Sequence, residues 1–311
     1  MKIQGWMTKL MLLGLALCWL TPADAKELKK KPNHIVYLDQ TVAYDSNVVT
    51  NVDEEQTDES DTVFDTTALL ELSVLPKHIE NYDLRISYLF LQILHDEFDN
   101  LDFRYHAPGA KFWYHINELW ALNVHAGFIF TEEDSDEFFT GPFAEIEGDF
   151  LASDISIVSF GYKYMSQDYD PTALDARDTD KHRFQVKYER DLSENVDWYV
   201  LGRLETSSAD DDGFSYFGQE IEGGIEISDW PCKFDWDFSL GYRHRGYDEV
   251  YPGFSDERDD DRLTFAVGVS YPVYKEIILL GADLEYILNS SNLSSFDYDE
   301  VIVGGRVSII L

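Results

Sequence analysis

In the stretch KFDWDFSLGYRHRG, residues 233–246, Phe234, Trp236, Phe238, Leu240 and Tyr242 share one parity, and Lys233, Asp235, Asp237, Arg243 and Arg245 the other. An extended chain points successive side chains to opposite faces, so this is a β-strand with one apolar and one ionic face. The pattern recurs in about fourteen runs between His34 and Leu311. Examples are Leu84, Ile86, Tyr88 and Phe90; Trp120, Leu122, Val124 and Phe128; Leu263, Phe265, Val267 and Val269; and Leu280, Leu284, Tyr286 and Leu288. A half-buried strand of a soluble sheet alternates in the same way, so the connectors must decide what the apolar face meets.

Every second connector is long and acidic: VTNVDEEQTDESD, HDEFDN, TEEDSDE, QDYDPTALDARDTDK, SSADDDG, YDEVYPGFSDERDDD and NSSNLSSFDYDE. Those between are tight: PKHIEN, HINE, FLAS, RDLSENV, SDWP and PVYKE. Greek-key crossovers have no reason to sort loops like this, whereas an up-and-down barrel in a bilayer has short turns at one end and longer loops at the other. Strands of roughly 10 to 16 residues suit a tilted crossing, and closure removes the unpaired edges that lipid does not tolerate. Trp113, Tyr114, Trp120, Trp198, Tyr199, Trp230 and Tyr271 to Tyr274 gather near the short turns, as an interfacial girdle does. The expected fold is therefore all-β: a transmembrane up-and-down antiparallel β-barrel of about 14 strands over residues 34–311, with both termini on the short-turn side. One strand breaks phase between Phe103 and Tyr114, and Ala107-Pro108-Gly109 predicts a β-bulge there.

The chain opens with Lys2 and Lys9, an apolar run from Leu10 to Leu20, and Ala23-Asp24-Ala25, which reads as a signal peptide over residues 1–25. Residues 26–33, beginning KELKKKP, form a basic periplasmic arm, either a mobile tail or a segment that enters an acidic lumen. Cleavage leaves Cys232 as the sole cysteine, so the fold stands without an internal disulfide. The full chain has 60 acidic and 24 basic residues; removing Lys2, Lys9 and Asp24 takes the net charge from −36 to −37. Nucleic acid is excluded as a partner, because phosphate contacts need Lys and Arg. Disorder is excluded by 44% hydrophobic and 15% aromatic content.

The segments YDSNV at 44–48 and SNLSSFDYDEVIVGGRVSIIL at 291–311 resemble the first hairpin and closing strand of bacterial outer-membrane β-barrel proteins. The barrel domain of surface lipoprotein assembly modulators is among those that the chain resembles. The resemblance implies residence in the bacterial outer membrane among lipopolysaccharide, and insertion by the barrel assembly machinery. Two departures stand out: Leu311 occupies the last position, where such barrels usually carry an aromatic residue, and no helical-repeat domain precedes the barrel.

The inward parity carries Arg183, Arg203, Arg243, Arg245, Arg262 and Arg306 together with Glu220, Glu222, Asp235 and Asp237. These are the candidates for lumen and selectivity residues. On one reading the arginines form a ladder for anionic groups, because guanidinium presents a fixed fork. On the other they pair with Glu205, Glu220, Glu222, Asp235, Asp237 and Asp283 across neighbouring strands and brace the wall. Asp256, Asp259, Asp260 and Asp261, or Asp175, Asp178 and Asp180, are candidate Ca2+ ligands in external loops, without EF-hand spacing. There is no GxSxG, no HExxH and no paired-cysteine motif, so an enzyme is not expected; His106, His182 and His244 are the histidines placed to serve one at the rim. The expected function is a channel or porin-like transporter for small hydrophilic, charged or uncharged, solutes; no connector is long enough to fold in as a large plug, which favours an open or loop-gated lumen. The alternative is an interaction barrel whose acidic loops bind divalent cations, lipopolysaccharide or a protein partner.

Overall fold

The computed structural model describes residues 34–49, 55–75, 81–170, 172–275 and 277–311; the expected signal peptide and basic arm lie outside them. The described residues form fourteen strands: β1 (His34–Asp45), β2 (Asp61–Ser73), β3 (Tyr82–His95), β4 (Phe103–His115), β5 (Trp120–Glu133), β6 (Asp136–Ser153) and β7 (Ser156–Tyr169). Then follow β8 (Thr179–Ser193), β9 (Val196–Ala209), β10 (Tyr216–Ile227), β11 (Asp235–Val250), β12 (Glu257–Tyr274), β13 (Ile278–Ser291) and β14 (Tyr298–Ile310). Each pairs antiparallel with its neighbours in sequence, and β1 pairs β14 from Tyr37↔Ile310 to Asp45↔Ile302, closing the barrel.

Alternation sorts the wall as the sequence predicts. Val42, Ile86, Phe160, Phe184, Leu240 and Leu263 stand exposed on the outside, while Arg243, Arg245 and Arg262 point inward and are buried. An apolar belt of this kind costs free energy in water and none in hydrocarbon, so the barrel wall is built for a bilayer. In the girdle, Trp120, Tyr271 and Tyr274 face outward. Trp113 and Tyr199 are corrections. They share the inward parity of Lys111 and Arg203, and the Tyr199 hydroxyl donates to Glu222 Oε1 at 2.6 Å.

The expected bulge in β4 is absent. Tyr88 pairs Pro108 in an unbroken β3 ladder, and the β4–β5 ladder pairs His106↔Phe130 and Gly109↔Gly127, the same register on both sides of Pro108. What changes is polarity. Inward Phe103, Tyr105 and Ala107 are buried with Val63, Leu91, Ile93, Ile129, Phe138, Phe139, Phe143 and Tyr169 in an apolar cluster inside the external end. Apolar residues lie inside there and outside lower down, which in sequence mimics a shifted phase.

The long acidic connectors also shorten. TEEDSDE is a tight hairpin through Asp134 and Ser135, both at positive φ (49° and 68°), in the manner of a type I′ turn. Within YDEVYPGFSDERDDD only residues 251–256 lie outside β11 and β12. The acidic stretches are strand extensions that carry the sheet beyond the belt.

Candidate functional site

The ladder registers line up one row of inward side chains across six strands: Gln185, Arg203, Glu220, Arg243, Arg262 and Asn289. The next row toward the external end holds Arg183, Glu205, Gly218, Arg245 and Asp260. Opposite signs meet on neighbouring strands at Arg203–Glu220–Arg243, Arg183–Glu205 and Arg245–Asp260, while Arg243 and Arg262 stand side by side as like charges. Arg203 Nη1 bonds Glu220 Oε1 and lies 3.6 Å from Glu222 Oε2. Arg183 grips Glu205 through Nε at 2.8 Å and Nη2 at 2.6 Å, and the Tyr216 hydroxyl donates to the other Glu205 oxygen at 2.6 Å. Arg262 Nε donates to Asn289 Oδ1 at 3.2 Å and Nη2 to the Tyr298 hydroxyl. Pairing of this kind is what keeps partly desolvated charges tolerable.

On the short-turn side of the first row Glu220, Glu222, Arg243, Arg262 and Glu285 surround a cavity of about 30 Å³, floored by Ser239, Gly241 and Ala266. It has room for about two waters. The small residues make that space; sequence parity places them inward but does not say that Gly241 pairs Glu222 and Ala266 pairs Glu285.

Arg306, Asp235 and Asp237 do not join this group. Arg306 aligns with Gly281, Ser270 and Asp235 along a row eight residues down β11 from Arg243, and Arg306 Nη1 lies 3.1 Å from Asp283 Oδ1. Asp237 sits in the adjacent row with Gly268 and Asp283. Asp235 Oδ1 accepts the Asp229 N–H at the short-turn end. The six arginines therefore divide among three rows: Arg203, Arg243 and Arg262, then Arg183 and Arg245, and Arg306 far below.

Two groups that the sequence did not single out complete the interior. Arg258, inside what reads as an acidic loop, is 1% exposed; its Nη2 lies 2.7 Å from Asp260 Oδ2, and its guanidinium sits 3.7 Å over the Phe296 ring. With Tyr216, Tyr247, Tyr251 and Leu293 this draws connectors 251–256 and 292–297 into the external mouth. Val49, from the first external connector, packs on inward Ile287 and Tyr298. At the opposite wall Arg85 bonds Asp83 at 2.7 Å and Glu71 at 3.3 Å, and Lys111 bonds Glu71.

The four candidate Ca2+ ligands at 256–261 do not converge as a set. Asp259, Asp260 and Asp261 lie on β12, so alternation sends Asp260 inward to Arg258 and the other two outward, while Asp256 accepts from Ser255 in the turn. Asp178 accepts the Tyr169 N–H at 2.8 Å and Asp180 accepts the Tyr164 hydroxyl at 2.7 Å, so these acids brace the neighbouring loop. Among the described residues, the side chains that do converge in the manner of metal ligands are His244, Asp259 and Asp261, on the outer wall. The other two rim histidines also face outward: His106 Nδ1 is 2.7 Å from the Tyr88 hydroxyl and His182 Nδ1 is 2.8 Å from that of Tyr162. The signal was present in sequence, since His244 shares parity with Tyr242 and Leu240.

No family model and no curated protein sequence matches the chain. Solved structures do. The outer membrane channel DcaP of Acinetobacter baumannii is 9% identical and superposes with a TM-score of 0.52, covering 92% of this chain and 99% of that one. A deltaS2 mutant of the TodX monoaromatic hydrocarbon channel is 7% identical with a TM-score of 0.50, covering 90% of each chain. At such identities the likeness is one of fold: this chain is built as a bacterial outer-membrane β-barrel, in agreement with its apolar belt.

Proposed function

We propose that the protein is a narrow, porin-like channel for small hydrophilic solutes, in which the paired row Arg203, Glu220, Arg243 and Arg262 selects what passes. The observation that carries this reading is the row itself. A barrel of this size needs no salt bridges to close, yet its inner wall interleaves cations and carboxylates at one level, where a passing solute would meet both. Such rings of charged side chains set selectivity in pores. The two barrels with which the fold agrees are both described as channels, which supports the same class. The mouth is narrowed from two sides by the cluster around Phe103 and by the connectors around Phe296, so the conductance expected is small.

Planar-bilayer recording of the refolded protein tests this. Small, salt-dependent unitary currents are expected, and Arg243→Glu is expected to shift the reversal potential toward cation selectivity. A folded, bilayer-inserted barrel that passes no current would overturn the reading.

A further inference from the structure

A second constellation lies on the outer wall, independent of whether the lumen conducts. His244 on β11 is the direct ladder partner of Asp261 on β12, with Nδ1 3.2 Å from Oδ1. Asp259, two residues along the same face, brings Oδ1 within 3.7 Å of that nitrogen. One ligand atom from each of the three lies within 4.8 Å of the others. The arrangement is held from outside the cluster. Asn292 Oδ1 accepts the Asp259 N–H at 2.8 Å, Asn292 Nδ2 donates to the Glu257 carbonyl at 2.8 Å, and the Tyr242 hydroxyl donates to Asp261 Oδ1 at 2.5 Å. Gly246, the ladder partner of Asp259, adds no side chain, and a Cβ there would sit 3.8 Å from His244 Nε2.

Two carboxylates on one face of a strand repel each other even where, as here, water reaches both. A cation between them relieves that repulsion. One imidazole with two carboxylates suits Zn2+ or Mn2+ better than Ca2+, whose sites are built from oxygens. Three protein ligands also leave coordination positions open.

Immediately on the membrane side of this cluster the outer wall is hollowed into a groove of about 800 Å³ that runs up to His244 and Asp261. Its lining includes Phe184, Val186, Gly202, Leu204, Ile221 and Tyr242. Gly202 forms an empty part of the floor, with nothing within 4 Å of the place a Cβ would take. An apolar groove topped by a metal-ligand cluster has the polarity of a lipid with a phosphate head, but the bare carboxylates would repel that head.

We propose that His244, Asp259 and Asp261 hold a divalent cation of the Zn2+ or Mn2+ class, and that its open positions bind the phosphate of an outer-leaflet lipid whose acyl chain lies in the groove. The full-length barrel in detergent, titrated with Mn2+ and followed by loss of the free-ion electron paramagnetic resonance signal, tests the metal. One saturable site displaced by Zn2+ is expected, weakened roughly 10–100-fold or more by His244→Ala or Asp261→Asn. Native mass spectrometry with phosphatidic acid as probe tests the lipid. Retention is expected to need Mn2+, to vanish with EDTA, and to be lost in Gly202→Leu, which fills the groove and keeps the metal. Heat-modifiable gel migration shows that each variant is folded. No saturable Mn2+ site, or equal binding by native protein and His244→Ala, overturns the metal site; phosphatidic acid retention indifferent to EDTA overturns the bridge.

Discussion

On β3 to β6 the inward side chains near the external end are Leu91, Ile93, Phe103, Tyr105, Ile129 and Phe143, whereas on β8 to β12 they are Arg183, Arg203, Glu205, Glu220, Arg245 and Arg262. Both sets obey the same alternation on the same closed sheet. The apolar set excludes water by packing on itself, so each member depends on the bulk of the others. The ionic set is stable only while its buried charges keep their partners. A lumen with one greasy and one ionic wall has its polar path along the second.

The contrast is broken most severely from the apolar side. Phe103→Ala leaves a cavity among side chains that are almost fully buried and is expected to cost about 3–5 kcal/mol, read from urea unfolding in micelles; a loss below about 1 kcal/mol would mean that the cluster is not packed. On the ionic side, Arg203→Ala takes the guanidinium from Glu220 and from beside Glu222, which keeps only the Tyr199 hydroxyl among these bonds. The expected cost is about 3 kcal/mol, the low end for a broken buried pair, because Arg203 keeps 16% of its side chain exposed. Replacing all three by Met and Leu together should recover most of that stability and, because Arg243 and Arg262 stay in the row, shift the reversal potential toward anion selectivity. Recovered stability with an unchanged reversal potential would separate the row from selectivity.

Two glycines sharpen the comparison further. A Cβ at Gly127 would meet the Pro108 carbonyl oxygen at 2.3 Å and the Phe143 ring at 2.7 Å, so Gly127→Ala is expected to cost about 1–3 kcal/mol. Gly202→Ala, on the open outer wall behind the ionic half, should stay within about 0.5 kcal/mol by the same unfolding assay.

The smallest effect lies in the external connector between β7 and β8. Burial raises the Asp178 pKa above the usual carboxylate range, with Asp168, Asp210 and Asp175 adding to the rise. A raised native value means that the folded state holds the proton more tightly, so the group favours folding in acid and opposes it as pH rises through its native pKa. Asp178→Asn, which keeps an acceptor for the Tyr169 N–H, should therefore gain no more than a few tenths of a kcal/mol at neutral pH after solvent screening. The gain should vanish near pH 3, as thermal unfolding at the two pH values would show. A larger gain in acid would reverse the sign and refute the account.

Much of this architecture was legible in the residues. Parity in runs such as 233–246 assigned inside and outside, and the alternating connectors assigned closure. Position along the strand was not legible. Arg306 and Arg243 share a parity and a chemistry, yet they stand at different levels because registers are set by hydrogen bonding between strands. The acidic run at 257–261 looked like a loop because composition marks solvent contact and does not separate an exposed strand from a turn. The polarity inversion at Phe103 was visible as a break in phase, but only the neighbouring strands show that the residues, and not the backbone, had changed.

The sequence by itself determined the period of two, the strand number and the face each side chain takes, because these follow from local backbone geometry. Tertiary structure decided which arginine meets which carboxylate, which outward acids gather beside His244, and where aromatic bulk fills the mouth. Those are contacts between segments far apart in the chain. They depend on register and closure, which no single strand contains.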